Sequence, residues 1–119
     1  MNHEELVEAC NEVYQLALER FEECHQQISG SLTVAQRADI RKSLRILETI
    51  SYRSQTAIRW LMDGREGSYS TLRAEVFAKW ATKHATGIIE RTRWMVDDSV
   101  FKSIQPLFTE EQFLTISTD

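Results

Sequence analysis

Residues 40–61, IRKSLRILETISYRSQTAIRWL, decide the fold of this chain. Along this stretch an apolar or small side chain recurs at alternating steps of four and three residues: Ile40, Leu44, Leu47, Ser51, Ser54, Ile58 and Leu61. Such steps place side chains on one face of an α-helix. The stretch therefore predicts a long amphipathic helix. Its two central serines allow a neighbouring helix to approach closely and can bond back to their own preceding turn.

The same periodicity occurs on both sides of this stretch. In the first 28 residues one apolar stripe contains Leu6, Cys10, Val13, Ala17, Phe21, Cys24 and Ile28. After residue 70 the apolar arc is broader, since Ala78, Ala85, Ile89 and Val96 extend a centre made of Phe77, Trp80, Ala81, His84, Ile88 and Met95. A broad arc predicts that the third helix is covered from two directions.

Capping residues separate the helices. Thr33 with Gln36 has the pattern of a capping box, and Gly64 with Gly67 marks a second break. Short connections between long helices favour antiparallel neighbours. The sequence predicts an all-α fold for one domain, 1–119: an antiparallel bundle of three long helices plus a short C-terminal helix, completed in one alternative by dimerisation. The expected bounds are 3–28, 33–63 and 70–98, with the short segment at 99–116.

Composition narrows the class of protein. The 119 residues include one Pro, four Gly and two Cys, and the net charge is −4. No apolar run reaches the roughly 18 residues that a membrane span requires. Cys10 and Cys24 lie about 21 Å apart along one predicted helix, too far to form a disulfide. We therefore expect a cytoplasmic protein with reduced cysteines and no membrane partner.

Charge is segregated along the chain. Residues 1–24 hold seven Glu against Arg20, whereas residues 25–96 hold twelve Lys or Arg against six acids. One interpretation is that the acidic first helix pairs with the basic second helix through weak surface ion pairs. The other is that part of the second helix forms a basic strip for an acidic partner or nucleic acid. That strip consists of Arg37, Arg41, Arg45 and Arg59, with Tyr52 on the same side.

Catalytic and metal-binding patterns are weak in this sequence. Glu22 and His25 form one E-x-x-H pattern, but a carboxylate-bridged di-iron site needs a second copy and two further Glu. His84 lies on the apolar face of the third helix, where a buried, hydrogen-bonded histidine is the commoner arrangement. The sequence also lacks phosphate-binding glycine motifs and paired CxxC motifs. We expect no enzyme activity, no cofactor and no metal site.

A second stripe on the central helix lies away from the seam. Ile46, Arg53 and Trp60 follow each other at seven-residue spacing, and Lys42 lies on the same side. Trp94 lies at the edge of the third helix's apolar arc. Aromatic, arginine and aliphatic residues of this kind are enriched in binding hot spots, so these five residues form the expected partner-binding surface. The alternative is that another helix or a second subunit covers the stripe.

Three hypotheses about function follow from these patterns. The first is a small protein-binding module that acts stoichiometrically on another protein, as an adaptor, inhibitor, antitoxin or immunity-type regulator. The second is a nucleic-acid-binding regulator that uses the basic second and third helices, although the net charge of −4 argues against it. The third is a homodimer closed by the apolar arc of the third helix, which is compatible with either function.

Overall fold

The computed structural model describes residues 2–28, 32–65, 67–92 and 102, and these residues are helical apart from the connections. Helix α1 spans His3–Gln27 and helix α2 spans Val34–Asp63. The third helix is continuous but has three parts: α3, Tyr69–Trp80; a π-helical turn, Ala81–Ala85; and α4, Thr86–Arg91. Helices α1 and α2 pack closely along each other, and the third helix contacts both. The all-α prediction is confirmed for this part of the chain.

The helices begin at His3, Val34 and Tyr69, each within one residue of the expected start. The Thr33 hydroxyl accepts a hydrogen bond from the Gln36 backbone N–H at 3.1 Å, while the Gln36 side chain accepts one from the Thr33 N–H at 2.9 Å. Ser68 caps α3 by accepting from the Thr71 N–H at 3.2 Å. These bonds satisfy backbone donors that a helix start otherwise leaves unpaired. The expected helix end at 98 and the expected C-terminal segment 99–116 lie outside the described residues, Lys102 apart.

The connection between α2 and α3 is tight at its first residue. A Cβ atom on Gly64 would overlap the carbonyl oxygen of Trp60 and the hydroxyl of Thr71. Thr71 is fully buried, and its hydroxyl donates to the Arg65 carbonyl oxygen at 2.9 Å. Gly67 has φ of 80°, a backbone conformation that side-chain-bearing residues rarely adopt. Both glycines are therefore required by the path of the chain.

The core lies between the three helices. The predicted stripe of α1 is buried at Leu6, Cys10, Val13, Ala17 and Cys24. On α2 the Ser54 hydroxyl donates to the Ile50 carbonyl oxygen at 2.7 Å, and Ser51 donates to Glu48 at 2.9 Å, as the sequence predicts. The third helix contributes Phe77, Trp80 and a seam of small residues, all of them fully buried: Ala74, Ala78, Ala81 and Ala85.

In its described part, the broad apolar arc of the third helix is covered within a single chain, apart from the half-buried His84. Phe77, Ala78 and Ile89 of this arc belong to one core cluster with residues of α1 and α2. This agrees with the prediction that the helix is covered from two directions. These described residues of the arc are therefore not a free surface for a second copy.

Candidate functional site

The predicted outward stripe on α2 is wrong for two of its three central residues. Ile46 is completely buried in the core, and Arg53 is only 6% exposed. The physical reason is that α2 has two neighbours, because it packs against both α1 and α3. It therefore needs two buried stripes. Ile46 is therefore not available for direct contact with a partner in this structure, and Arg53 offers little exposed surface.

The sequence does contain a signal for this second buried stripe. Ile50 and Ala57, both buried, fill the gaps between the predicted residues. Together the five positions Ile46, Ile50, Arg53, Ala57 and Trp60 step by four, three, four and three, the same seam pattern that the first stripe shows. A helix with two such seams is expected to contact two neighbours.

Trp60 is half-buried, and the third helix covers one face of its ring. The Arg73 guanidinium carbon lies 5.0 Å from the centre of the Trp60 ring and 5.4 Å from that of Tyr69. A guanidinium in this position is attracted by the negative faces of both rings. The cation that accompanies Trp60 is therefore Arg73 of the next helix. Trp60 and Arg73 link the end of α2 to the start of α3.

The two remaining members of the predicted partner surface are Lys42 and Trp94. Lys42 is half-buried on α2. Trp94 lies outside the described residues. Trp80, the third tryptophan, is buried and packs against Phe77, with ring centres 5.7 Å apart.

The predicted basic strip of α2 is exposed. Arg37, Arg41, Arg45 and Arg59 are all exposed, and Tyr52 is 60% exposed. Arg45, Tyr52 and Arg59 lie seven residues apart, so their side chains follow one line along the helix. These three residues are named the Tyr52 strip below. Among the residues predicted for function, it is this group that the structure brings together on a surface.

Two members of the Tyr52 strip, Arg45 and Tyr52, lie on one wall of an open groove. The opposite wall is made by Tyr14 and Leu18 of α1, and the floor includes the buried Arg53. A second, adjoining groove runs toward the end of α2 and is lined by Tyr52, Ile58, Arg59 and Met62. Tyr52 lines both grooves. Leu18 and Met62, 37% and 69% exposed, add apolar surface at the two ends.

Sequence reasoning missed the α1 wall of this groove. Tyr14 and Leu18 are one helical turn apart and lie beside the core stripe of α1. The signal available in the sequence was an aromatic and an aliphatic residue outside that stripe at i, i+4 spacing. Their position opposite Tyr52 depends on how α1 packs on α2, which the periodicity of either helix alone does not specify.

Burial affects the electrostatics at the groove floor. The Arg53 guanidinium carbon lies 5.9 Å from the centre of the Tyr52 ring. Burial lowers the pKa of Arg53 from its usual value, and the neighbouring Tyr52 opposes that shift. A guanidinium keeps its charge well above neutral pH, so a positive charge lies beneath the groove.

Three arginines of the basic strip of α2, Arg37, Arg41 and Arg59, do not pair with the described acidic residues of α1. Within the described residues, Arg20 pairs with Glu23 inside α1 at 3.1 Å, and a ring nitrogen of His3 lies 3.0 Å from a carboxylate oxygen of Glu75 of α3. No described carboxylate lies within ion-pair distance of Arg37, Arg41 or Arg59. The positive charges of these three arginines are therefore not neutralised by a described carboxylate.

Two histidines, His25 and His84, lie beside aromatic side chains. The His84 ring lies in the π-helical turn, half-buried, with its centre 6.2 Å from that of Trp80. His25 stacks on Phe21 with ring centres 6.0 Å apart, and Glu22 is exposed beside it. In the part of the chain that the structure describes, no three side chains of His, Cys, Asp or Glu are grouped closely enough to hold a metal ion.

We expect the Cys10 thiol to make the protein less stable as the pH becomes alkaline. Cys10 is fully buried, and burial raises its pKa to about 12. In the unfolded chain the thiol loses its proton near its ordinary pKa of about 8.5, so the folded state binds more protons between these two values. We expect the free energy of unfolding to fall as pH rises through this window, with a contribution from Cys10 of up to about 1.4 kcal/mol per pH unit.

Urea denaturation under reducing conditions at several pH values between 8 and 11 measures this contribution. Cys10→Ala is the control, because it has no proton to lose while every tyrosine and lysine is retained. The stability of the parent should fall more steeply with pH than that of the variant. Parallel pH dependences would contradict the assignment of a protected, protonated thiol.

Comparisons with known proteins found no relative for this chain. No protein-family model, no curated protein and no solved structure matches it. None of the helices in the described part of the chain combines the length and apolar character needed to cross a membrane.

Proposed function

We propose that this chain is a small, non-enzymatic protein-binding module that acts stoichiometrically on another protein, as an adaptor, inhibitor, antitoxin or immunity-type regulator. The observation that carries the proposal is the exposure of Tyr52 between two grooves, with Arg45 and Arg59 on either side. Tyrosine and arginine are the residue types most often found at the centre of protein interfaces. This surface replaces the Ile46, Arg53 and Trp60 stripe as the proposed contact site.

The shape of this surface supports a protein partner. Isolated exposed apolar residues are ordinary on any protein surface. Here Tyr52 combines with Leu18 at one end and Met62 at the other, so apolar contact area continues across both grooves. A partner side chain entering either groove would be desolvated beside the Tyr52 ring, which loses little conformational freedom on binding.

The charge of the surface supports an acidic partner. Arg37, Arg41, Arg45 and Arg59 are exposed on the same helix as Tyr52. An acidic segment lying along α2 would meet successive guanidinium groups, each able to bind a carboxylate through two parallel hydrogen bonds. Charges around the edge of an interface mainly accelerate association and select among partners, while the groove supplies the affinity.

We further infer that the described helices belong to an antiparallel bundle. The connection between α1 and α2 covers only residues 28–33, which favours a reversal of direction. Tyr14 and Leu18, near the middle of α1, share a groove with residues 45–55, near the middle of α2. An antiparallel pair joined by a short connection places its two midpoints side by side.

We place the protein in the cytoplasm. Cys10 and Cys24 are both buried and free, and a reducing compartment preserves such thiols. The Cys24 thiol donates a weak hydrogen bond to the Thr92 carbonyl oxygen, with the two atoms 4.0 Å apart. These thiols have the surroundings of packing residues rather than of nucleophiles.

Nucleic-acid binding is the second candidate, because an exposed tyrosine between arginines could stack on a base while the arginines contact phosphates. The same surface contains charges that oppose it. Glu48 lines the main groove, and the exposed Glu22 lies one turn beyond Leu18 on α1. A phosphate backbone in the groove would be repelled by both carboxylates, whereas a protein segment can adapt its charges to them.

Affinity capture from the native host followed by reconstitution tests the protein-binding function. We expect a partner that, once purified, binds the parent chain at a fixed stoichiometry by calorimetry. Tyr52→Ala should weaken this binding by about thirtyfold, the effect of losing an interface hot spot. Tyr69→Ala is the matched control, because Tyr69 is also well exposed but lies on α3. Equal binding by both variants and the parent would overturn the proposed site.

Fluorescence anisotropy with labelled single- and double-stranded nucleic acid separates the two candidates. At low salt we expect no binding that depends on Arg41 and Arg45. Salt-sensitive binding that is lost in Arg41→Glu/Arg45→Glu would favour the second candidate.

A further inference from the structure

We propose that a second copy of this chain occupies the Tyr52 strip, so that the protein forms a two-fold symmetric dimer from which the partner must displace one copy. The inference rests on the proposed function, because it assigns an occupant to the same surface. Its basis is that α1 presents an exposed acidic line that complements the basic line of α2.

The two lines match in spacing. On α1, Glu8, Gln15 and Glu22 lie seven residues apart, and all three are exposed. On α2, Arg45, Tyr52 and Arg59 have the same spacing and are also exposed. In each line the outer residues are fourteen positions apart, which is about 21 Å along a helix. The acidic line therefore has a carboxylate at each end and a polar residue between them. The basic line has a guanidinium at each end and a tyrosine between them.

The placement of the groove makes this match reciprocal. One wall of the groove belongs to α1 and the other to α2. A two-fold axis running along the groove would lay α1 of the second copy over α2 of the first, and α2 of the second copy over α1 of the first. The same contact then forms twice, as in every isologous dimer.

The direction of the helices aligns the charges. Tyr14 and Leu18 stand level with the middle of α2, so in the antiparallel pair Glu22 lies toward Arg45 and Glu8 toward Arg59. A two-fold rotation about an axis parallel to the helices does not change the position of any residue along that axis. Glu22 of the second copy would therefore face Arg45, Glu8 would face Arg59, and Gln15 would lie over Tyr52. Two copies of α1 and α2 would form a four-helix arrangement with both Tyr52 rings inside.

This occupant agrees with the surroundings of three of the four charged residues. Arg59 has no described carboxylate within ion-pair distance, and Glu8 and Glu22 have no described cation within that distance. In the dimer each of these side chains gains a partner of opposite charge. The described apolar residues of the third helix's arc, by contrast, are already buried within one chain.

A charge-swap experiment with the full chain tests the dimer. The basic-strip variant is Arg45→Glu/Arg59→Glu, and the acidic-strip variant is Glu8→Arg/Glu22→Arg. Sedimentation velocity at low salt should show a dimer for the parent and, for each variant alone, a dissociation constant at least about tenfold higher. An equimolar mixture of the two variants should form a heterodimer, because every contact in it again joins opposite charges. The chain carrying all four substitutions should dimerise like the parent.

Two controls keep the experiment interpretable. Circular dichroism of each variant checks that the helices are retained. Lys79→Glu/Lys83→Glu changes the net charge by the same amount as the basic-strip variant, but at exposed positions of the third helix, and should leave the parent's dimer intact.

Two results would overturn the inference. One is a parent that stays monomeric at every concentration at low salt, and the other is a mixture of the two variants that fails to associate. In either case, loss of partner binding by Tyr52→Ala would leave the proposed function standing. Conversely, successful charge swapping together with unchanged partner binding by that variant would retain the dimer and reject the partner site.

Discussion

Replacing Phe77 with alanine is expected to lower the free energy of unfolding by about 3–5 kcal/mol, the usual range for a buried phenylalanine. Phe77 is fully buried in the last turn of α3, and the centre of its ring lies 5.7 Å from that of Trp80. The substitution removes the ring and leaves a cavity that fully buried neighbours such as Ala78 are too small to fill. A loss of this size is a large fraction of the 5–15 kcal/mol that stabilises a typical domain.

Urea or guanidinium denaturation followed by circular dichroism measures this loss. Leu72→Ala is the matched control, because Leu72 lies on the same helix and is 47% exposed. The control should lose no more than about 1 kcal/mol, since part of its side chain already contacts water. If both variants lost the same small amount, the third helix would not be packed in the manner described.

Replacing Ile46 with alanine is expected to cost about 2–5 kcal/mol. The size of this loss shows whether the α2 stripe that contains Ile46 faces solvent or is buried. If Ile46 pointed outward, as the sequence suggested, the loss would be within about 0.5 kcal/mol. The structure buries Ile46 completely between Leu47, Ile50 and the other members of the core. The larger loss follows from that burial.

Met62→Ala is the control for Ile46→Ala. Met62 lies on the same helix but is 69% exposed, and both residues are replaced by the same good helix former. Denaturation of the two variants and the parent under one set of conditions gives the comparison. A small loss for Ile46→Ala, similar to that for Met62→Ala, would mean that the second stripe of α2 is not part of the core.

The helices themselves could be predicted because their signals are local. The Thr33 and Gln36 capping box and the glycines between α2 and α3 act over a few residues, and the structure uses all of them. The stripe of α1 could be predicted for a similar reason. A helix with one apolar face has one direction in which to bury it.

The environment of α2 could not be predicted by the same reasoning. Assigning one seam to the helix made the opposite stripe appear to face solvent, although Ile50 and Ala57 connect that stripe to the core. The number of neighbours is a property of the whole fold. Two overlapping seams on one helix are the pattern that indicates two neighbours, and they were present in the sequence.

The candidate surface was predicted in part. The basic line with Tyr52 could be derived from the sequence, because four-residue and seven-residue spacings fix which side chains share a side of a helix. The groove could not, because Tyr14 and Leu18 reach it from another helix. Surfaces built by one element can be derived from periodicity, whereas those built between elements depend on packing.

The alanine seam of the third helix has a consequence for how this fold can diverge. Ala74, Ala78, Ala81 and Ala85 have no exposed surface, so neighbouring atoms enclose the side chain at each position. A larger side chain there would force the helices apart, at a typical cost of about 1–3 kcal/mol. Elsewhere in the core one aliphatic residue can replace another, so identity can be lost while volume is conserved. A distant relative would therefore share with this chain the register of its small residues more than the identity of its large ones.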